Sequence, residues 1–395
     1  MYKIIKKNGR CGIANLHGCE QTDALDALLS GKRVGLITNH SGLDKNFRST
    51  ADLFAERYRL CALYAPEHGI RGNVQAGGRV DSYIDEKTQI PVYSMYKSSL
   101  DDDIFRDVDV IAYDIQDVGV RFYTYIYTLT DALERAARLG KRVVVLDRYN
   151  PLGLIRTEGA ILDERLWSGV GRFALPARYA LTVGELARYV NGEFSLGCEL
   201  EILPCKSLSR NDDYRTLGLD WVAPSPNLPS YEASLAYVGT VLFEGTNVSE
   251  GRGTTKPFET FGAPWLRADE VKKYIEGLGM RGFKLRECYF TPTFSKYKGE
   301  LCRGLQIHIS DPDLFEPFSL GVHIFDYLRR THSELQIRDA QSAIPTPAPV
   351  MHRGEKASCR ICAKAEGIRS RQRNKTTAEK RRYSSDKTGM IHWVT

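Results

Sequence analysis

The chain has 395 residues, of which 42% are hydrophobic, so it can bury a large core and form more than one domain. Its net charge of +6 arises at the end of the chain, because residues 336–395 hold 13 Lys and Arg against 5 Asp and Glu. The remainder is nearly neutral, which argues against a specific nucleic-acid partner. No apolar run reaches the roughly 20 residues that a membrane helix needs.

The nine cysteines follow no disulfide framework, which indicates reduced thiols. Only Cys359 and Cys362 have metal-like spacing, and no second pair completes a zinc site. No His-Glu-x-x-His pattern occurs either. The sequence therefore predicts no bound metal.

Residues 31–150 alternate short apolar runs with helical patterns, which is typical of βαβ units around a parallel sheet. The near-continuous Val, Ile and Leu content of the runs indicates strands covered on both faces. The predicted strands are residues 33–38, 60–64, 91–94, 108–115 and 142–146. The predicted helices between them are residues 47–57, 100–106 and 124–139.

A sixth unit follows. Thr182 and Glu185 have the spacing of a capping box, which predicts a helix to about Val190, and residues 199–203 predict another strand. Three prolines between residues 221 and 229 then enforce an extended course, followed by a short helix and the apolar run 239–243.

Near Gly262 the pattern changes to helix, strand, strand, helix, with strands at about residues 283–290 and 304–309. We therefore predict an α/β fold: a Rossmann-like, mostly parallel sheet flanked by helices, with a smaller α+β C-terminal domain. Periodicity stops after Leu335, so the smaller domain is expected to be incomplete. The predicted divisions are an N-terminal extension (1–24), a Rossmann-like domain (25–260), a smaller domain (261–335) and a basic irregular tail (336–395).

Polar side chains follow the ends of several predicted strands. The carboxyl ends of parallel strands meet at one edge of a sheet, where ligands bind, so these groups predict a polar pocket. Judged alone, any one of them is more simply a cap, a turn residue or a support. The strand-end candidates are Asn39, His40, Glu67, His68, Arg71, Asp114, Gln116, Asp117, Arg121, Tyr123 and Asn150. A later glycine-rich run adds Glu244, Asn247, Glu250 and Arg252.

The same segments argue against a nucleotide. The turn after the first strand, residues 39–42, lacks the glycine spacing that cradles a pyrophosphate. Residues 245–252 narrowly miss the phosphate-loop spacing, with Arg252 where Lys is expected. Residues 169–174 match G-x-G-x-x-A, but no convincing strand precedes them. We therefore expect no cofactor.

No G-x-S-x-G nucleophile motif occurs, so the candidate chemistry is based on carboxylates. Pockets rich in Asp, Glu, Asn, Arg and Tyr suit carbohydrates, and a glycosidic oxygen needs an acid in order to leave. Glu67, beside His68, is the best acid candidate. Partial burial at a strand end is expected to raise its pKa towards neutrality.

Five ordered segments resemble the NamZ-type exo-β-N-acetylmuramidase family: GLITNHSG (35–42), APEHGIRG (65–72), DIQDVGVRFYTY (114–125), LDRYNPLG (146–153) and residues 242–255. The resemblance spans about residues 25–328. It implies a Rossmann-like catalytic domain without NAD and a cleft between two domains. It also implies removal of β-1,4-linked N-acetylmuramic acid from non-reducing ends of peptidoglycan fragments, which would be the partners of the protein.

The resemblance implies that Glu67 is the catalytic acid or acid/base, with His68 and Asp114 as further catalytic candidates. The other candidates would orient the acid or bind sugar hydroxyls. Asp114, Glu244 and Glu250 all remain open as the second catalytic group. An arginine can grip the lactyl carboxylate of muramic acid bidentately, and Arg71, Arg121 and Arg252 are the candidates.

Family members commonly carry an export signal. This sequence shows none, so a cytoplasmic protein is expected as the sequence stands, unless the natural start differs. The basic tail resembles a reading-frame change, which we expect to leave an apolar face uncovered. Two other functions stay open: a nucleotide-sugar enzyme on a Rossmann-like fold, and a non-catalytic binder of peptidoglycan fragments.

Overall fold

The computed structural model of the protein describes residues 17–72, 82–95, 102–338 and 350–351. Its main sheet has the strand order β3-β4-β2-β1-β5-β6-β7, and all neighbours are parallel except β3, which is antiparallel to β4. The strands are β1 (Arg33–Thr38), β2 (Arg59–Ala65), β3 (Tyr83–Ile84), β4 (Pro91–Ser94), β5 (Val110–Asp114), β6 (Arg142–Leu146) and β7 (Glu199–Leu203).

With β3 left aside, the six parallel strands follow the third-second-first-fourth-fifth-sixth order of doubly wound nucleotide-binding folds. The strand order reverses between β1 and β5. In such sheets ligands bind outside the carboxyl ends of the strands at this reversal. The predicted Rossmann-like sheet is confirmed, and its crevice lies where Thr38 and Asp114 end their strands.

Side-chain alternation along the central strands explains why both faces are covered. On β6, Val143 and Val145 belong to one core cluster, whereas Val144 and Leu146 belong to the other. Helices α1 (Thr22–Leu29) and α2 (Thr50–Arg57) pack in the second cluster, and α3 (Tyr125–Arg138) packs in the first. Both faces are apolar because helices cover both.

The predicted capping box is confirmed. Thr182 Oγ1 accepts a hydrogen bond from Glu185 N at 3.1 Å, and Glu185 Oε2 accepts one from Thr182 N at 3.0 Å. These bonds satisfy free N–H groups at the start of α4 (Val183–Glu193). The helix runs three residues beyond the predicted end at Val190.

The later part of the chain forms a three-stranded antiparallel sheet with the order β8-β10-β9 and further helices, which confirms a smaller α+β part. Its elements are α5 (Tyr231–Thr240), β8 (Thr260–Ala263), α6 (Ala268–Gly277), β9 (Phe283–Phe290), β10 (Cys302–Ile309) and α7 (Pro317–Thr331). A short pair, β11 (Ile337–Arg338) and β12 (Val350–Met351), follows.

Two glycines bring α5 and α7 into direct backbone contact. A Cβ added at Gly239 would lie 1.9 Å from the Pro317 carbonyl oxygen, and one at Gly321 would lie 2.4 Å from the Gly239 carbonyl oxygen. The first core cluster also continues from β5 and β6 into β8, β10 and α7. The two sheets are therefore joined through one apolar core.

Five predicted strands have the observed bounds: residues 33–38, 91–94, 142–146, 199–203 and 283–290. The others shift by one or two residues at an end, and the predicted helix 124–139 is Tyr125–Arg138. The prediction that a helix begins at residue 47 was wrong. Phe47 has a φ of 61°, and Ser49 Oγ caps α2 by accepting from Ala51 N at 3.2 Å.

Elements α1, β3, β8, β11 and β12 were not predicted. Helix α1 begins within the predicted N-terminal extension, and β11 and β12 lie within the predicted irregular tail. The run 239–243 forms the end of α5 and the start of a 3-10 turn, Val241–Gly245. The described part of the predicted helix 100–106 is a 3-10 turn, Asp102–Phe105.

Cys359, Cys362 and most of the predicted tail lie outside the described residues, and the domain divisions stay predictions. Within the described ranges, no helix has the length and apolar character needed to cross a membrane.

Candidate active site

Hydrogen bonds join the loops that follow β1 and β5. Asn39 Oδ1 accepts from the Ser41 backbone N at 2.9 Å and from Ser41 Oγ at 2.6 Å. Ser41 Oγ in turn accepts from Gln116 N at 3.1 Å. The Gln116 side chain donates to the carbonyls of Asp117 and Tyr149, so it supports the loops. These bonds fix the floor of the crevice.

Glu67 and His68 lie in the turn after β2. His68 is buried and has a φ of 75°, a conformation that costs a side-chain-bearing residue about 1–3 kcal/mol and is common at functional sites. Glu67 remains partly exposed, and its Oε2 accepts a hydrogen bond from Thr124 Oγ1 at 2.8 Å. Thr124 directly precedes α3. The turn therefore presents a carboxylate at the start of a helix beside the crevice.

The extended, proline-rich segment closes over this region. Tyr125 Oη donates to the Pro224 carbonyl at 2.6 Å, and His40 Nε2 lies 2.9 Å from the Ala223 carbonyl. Since a carbonyl only accepts, Nε2 carries the proton in this contact. Burial lowers the pKa of His40, which favours the neutral ring, with Nδ1 as an acceptor.

Five buried polar atoms of predicted site residues have no well-formed hydrogen bond to any residue that the structure describes. Two of them, on Asn39 and Tyr123, lie beside the Tyr125 hydroxyl. Buried polar groups are nearly always satisfied, so these atoms are candidates for contact with a polar ligand. The atoms are Asn39 Nδ2, His40 Nδ1, Asp117 Oδ1, Arg121 Nε and Tyr123 Oη.

Tyrosines line the centre of the crevice. The rings of Tyr123 and Tyr125 lie 4.7 Å apart, and those of Tyr123 and Tyr237 lie 6.2 Å apart. Burial, with the nearby Glu244 and Glu67 carboxylates, holds the pKa of Tyr237 well above its ordinary value. Both carboxylates therefore act electrostatically on the Tyr237 hydroxyl.

Four charged side chains of alternating sign follow one another here: three lie in the loop after α5, and Lys296 comes from the connection between β9 and β10. Lys296 Nζ lies 2.8 Å from Glu250 Oε2, Glu250 Oε1 lies 3.1 Å from Arg252 Nε, and Arg252 Nη2 lies 2.5 Å from Glu244 Oε1. Burial opposes ionisation of Glu250, but Lys296 and Arg252 hold its pKa below the ordinary value. Burial raises the pKa of Glu244 despite Arg252. Neighbouring carboxyls whose pKa values are driven apart are typical of acid/base sites.

Asp114 lies in a closed cluster. Its two oxygens accept from Arg148 Nε at 2.5 Å and Arg148 Nη2 at 2.8 Å, and Thr50 Oγ1 donates to the same carboxylate. Both side chains of the ion pair are almost fully buried. These contacts favour a structural function for Asp114 over direct contact with a substrate.

Three other candidates bind neighbouring parts of the chain. Asn150 donates to the Leu181 carbonyl and accepts from Leu152 N. Asn247 accepts from Gln336 N and donates to the Glu334 carbonyl. Arg71 binds Asp85 and Asp52. Each of these side chains holds a loop or an edge strand in place.

Arg121 donates to the carbonyls of Ala160 and Leu175, and burial lowers its pKa. Arg252, as described, pairs with two glutamates. That Arg71, Arg121 or Arg252 binds a lactyl carboxylate stays a prediction.

Asp117 accepts hydrogen bonds from Gly119 N at 2.7 Å and from the Tyr179 hydroxyl, and burial raises its pKa to about 6.

Sequence analysis did not select Thr124, Tyr125, Tyr237 or Lys296. Tyr125 lies within the segment that carries the family resemblance, so its motif offered a signal. The local sequence indicates only a core aromatic of α5 at Tyr237 and one of many surface lysines at Lys296. Their positions depend on long-range packing, which local patterns do not report.

A separate cavity of about 590 Å³ lies beside Lys296. Asn247 is the predicted site residue among those that line it, and the crevice residues around Glu67 are not part of it. Among the described residues, no group of three or more His, Cys, Asp or Glu side chains is arranged to hold a metal ion.

A doubly wound α/β sheet with carboxylates, amides and tyrosines at its reversal point is the architecture of an enzyme for a polar substrate. Residues 34–232 match the family described as exo-beta-N-acetylmuramidase NamZ, N-terminal, and residues 235–379 match its C-terminal counterpart. The chain belongs to this NamZ family. The predicted family and the enzyme class, a glycoside hydrolase, are confirmed.

Peptidoglycan beta-N-acetylmuramidase NamZ of Bacillus subtilis (strain 168) is 44% identical over 310 residues, which is 78% of this chain and 75% of that protein. Two crystal structures of DUF1343 family proteins from Bacteroides fragilis NCTC 9343 are also similar. One has a TM-score of 0.75 at 35% identity, covering 81% of this chain and 83% of its own. The other has a TM-score of 0.67 at 29% identity, covering 92% and 96%.

Proposed function

We propose that this protein is an exo-acting glycosidase that releases β-1,4-linked N-acetylmuramic acid from the non-reducing ends of peptidoglycan fragments. The observation that carries the proposal is the position of Glu67, a partly exposed carboxylate that is bound to Thr124 Oγ1 at 2.8 Å in the turn after β2, at the edge where the parallel strands end. Glycoside hydrolysis uses two carboxyl groups that flank the scissile bond. The substrate class is supported by the similarity to the Bacillus subtilis enzyme.

Glu67 is the general acid in this proposal. Its side chain is partly exposed beside the crevice, and its Oε2 accepts a hydrogen bond from the Thr124 hydroxyl at 2.8 Å, which holds the carboxyl group at the start of α3. His68 supports the turn that carries it.

Glu244 is the second carboxylate in this proposal. Asp114 and Glu250 are buried and held by cations on both oxygens. The Glu244 side chain is 39% exposed, and Arg252 binds its Oε1. Of the three candidates that sequence analysis left open, Glu244 is therefore the one that a substrate can reach.

In this proposal the remaining polar atoms of the crevice bind the polar groups of the sugar. Sugar hydroxyls and the N-acetyl group both donate and accept hydrogen bonds. Asn39 Nδ2 is a donor, His40 Nδ1 is an acceptor in its neutral form, and Tyr123 Oη can do either. A buried amide or imidazole discriminates strongly against analogues that leave it unpaired.

The test is hydrolysis of a chromogenic β-N-acetylmuramide by the wild type and by Glu67→Gln, with the matching β-N-acetylglucosaminide as the comparison substrate. We expect the wild type to cleave the muramide, and the variant to lose roughly 10²–10⁴-fold in kcat because the proton donor is gone. Glu56→Gln, at an exposed glutamate of α2, is the matched control and should retain full activity.

A trisaccharide with N-acetylglucosamine at its non-reducing end and N-acetylmuramic acid in the middle tests the exo-acting mode, since its internal muramic acid bond should resist cleavage. A folded wild type that cleaves neither glycoside would overturn the proposed function. Full activity in Glu67→Gln would overturn the acid assignment alone. A cytoplasmic location stays a prediction, which fractionation of cells that make the protein would test.

A further inference from the structure

Lys296 is the one member of the charged series that comes from the second sheet, in the connection between β9 and β10. Its Nζ lies 2.8 Å from the Phe243 carbonyl oxygen, 2.9 Å from the Val248 carbonyl oxygen and 2.8 Å from Glu250 Oε2. An ammonium has three N–H donors, so these contacts use all of them. These bonds hold the Lys296 ammonium in one position, together with the two carbonyls and the Glu250 carboxylate that it binds.

The two carbonyls flank the turn that carries Glu244. The turn has its own bonds, because Thr246 N and Thr246 Oγ1 both donate to the Phe243 carbonyl, at 2.9 and 2.8 Å. Val248 N then donates to Thr246 Oγ1 at 3.0 Å. Lys296 joins the beginning and the end of this turn, and so sets the direction in which it presents Glu244.

The charged series runs from the interior towards solvent. The exposed fractions of the side chains are 3% for Glu250, 13% for Lys296, 20% for Arg252 and 39% for Glu244. A buried charge needs a charged partner and further hydrogen bonds, and Lys296 has both. The interior pair therefore anchors Arg252, which in turn holds the exposed carboxylate.

We propose that Lys296 is a positioning residue for glycoside hydrolysis: through the 243–248 turn and the Glu250–Arg252 pair, it sets the orientation and charge of Glu244. This inference rests on the proposed function. Lys296 does not touch the substrate in this arrangement, because its three donors are already used.

Loss of the ammonium has a predictable electrostatic sign. The groups that face Glu244 are Arg252, Glu250, Lys296 and Tyr237. Without Lys296, Glu250 competes with Glu244 for Arg252. Less positive charge then lies near Glu244, so the pKa of Glu244 rises. Without the Glu250 charge, Arg252 serves Glu244 alone, so the pKa of Glu244 falls.

The experiment measures kcat, KM and the pH profile of kcat/KM for Lys296→Met, Lys296→Arg and Glu250→Gln on the muramide. For Lys296→Met we expect kcat to fall at least tenfold, KM to change less than threefold, and the limb governed by Glu244 to move to higher pH. Lys296→Arg keeps the charge and should restore the wild-type limb. Glu250→Gln should move that limb to lower pH. Lys298→Met, at an exposed lysine of the same connection, is the matched control and should match the wild type.

A folded Lys296→Met with wild-type kcat and an unchanged pH profile would overturn the inference. If that variant does not fold, the other two decide: a pH limb that is unmoved in Glu250→Gln contradicts the inference, and opposite displacement supports it. Wild type and Glu67→Gln are assayed in parallel. An inactive wild type refutes the proposed function, whereas an active wild type with an unaffected Lys296→Met refutes only this inference.

Discussion

Two ion-pair clusters built from the same residue types behave differently in this protein. In the closed cluster, Asp114 and Arg148 are almost fully buried, and both carboxylate oxygens are bound. In the open cluster, the buried Glu250 leads through Arg252 to Glu244, which is 39% exposed. Sequence analysis treated the carboxylates of both clusters alike, because it kept Asp114, Glu244 and Glu250 open as the second catalytic group. Access to solvent, and not residue type, separates structural from functional carboxylates here.

The physical basis is the cost of desolvation. A fully buried ion pair loses much of its hydration, so it persists only where hydrogen bonds occupy the remaining donors and acceptors. Arg148 meets this condition, because it also donates to the Leu43 carbonyl at 2.8 Å and approaches His17 Nδ1 at 3.2 Å. A pair with one exposed member keeps part of its hydration and remains able to bind a ligand.

The largest expected effect is on the closed cluster. Arg148→Met leaves the Asp114 carboxylate buried without its cation, and we expect the free energy of unfolding to fall by about 3–5 kcal/mol. Urea unfolding of the purified variant measures this change. Arg142→Met, which breaks the exposed pair with Glu199 at the start of β6, is the control and should cause no measurable change.

An Arg148→Met variant with wild-type stability would contradict the closed-cluster assignment. It would mean that Asp114 finds another partner or takes up a proton at little cost. Activity would then have to be measured, because Asp114 would again be a candidate for the second catalytic group.

The next effect is on the open cluster and concerns rate. Glu244→Gln should lower kcat on the muramide by roughly 10²–10³-fold. An amide cannot exchange a proton with the substrate, and it cannot stabilise developing positive charge as a carboxylate does. The free energy of unfolding should change by less than about 1 kcal/mol, since the side chain is partly solvated and Arg252 keeps Glu250. Steady-state kinetics and urea unfolding measure the two quantities. Destabilisation with an unchanged kcat would make this cluster structural as well.

Most of the parallel sheet was predictable from the sequence because each strand is a local apolar run between helical patterns. Residues 33–38 and 142–146 show this directly. Strand β8 was missed because its four residues, Thr260–Ala263, include a glycine and an alanine and carry little strand preference. Helix α1 was missed although it buries Leu25 and Leu29, since no strong cap precedes it.

The crevice was partly predictable, and for a topological reason. Residues at the ends of parallel strands meet at one edge of a sheet, which is why Asn39, His40 and Glu67 were selected together; their function in the site stays a prediction. The closed partnership of Asp114 was not predictable, because Arg148 comes from another strand end and no local pattern pairs the two residues. Lys296 illustrates the opposite failure, because no local pattern links it to Glu250, 46 residues away.

Asp117 extends the comparison to a buried carboxyl that has no cation partner within the described part of the chain. Burial raises its pKa from 3.8 to about 6, so the folded protein binds a proton there more tightly than the unfolded chain does. The protonated carboxyl therefore contributes stability that is fully present below about pH 4 and is lost as the pH rises through about 6. Above that range the contribution is gone.

Asp117→Asn removes this titration and keeps an acceptor for Gly119 N and the Tyr179 hydroxyl. The free energy of unfolding of the wild type, measured relative to the variant, should fall by about 2–3 kcal/mol between pH 4 and 6 and stay constant above. Asp147, whose pKa burial also raises to about 6, titrates in both proteins and cancels in the difference. A flat difference profile would mean that Asp117 is ionised throughout, and that a buried carboxyl in this crevice needs no cation to stay charged.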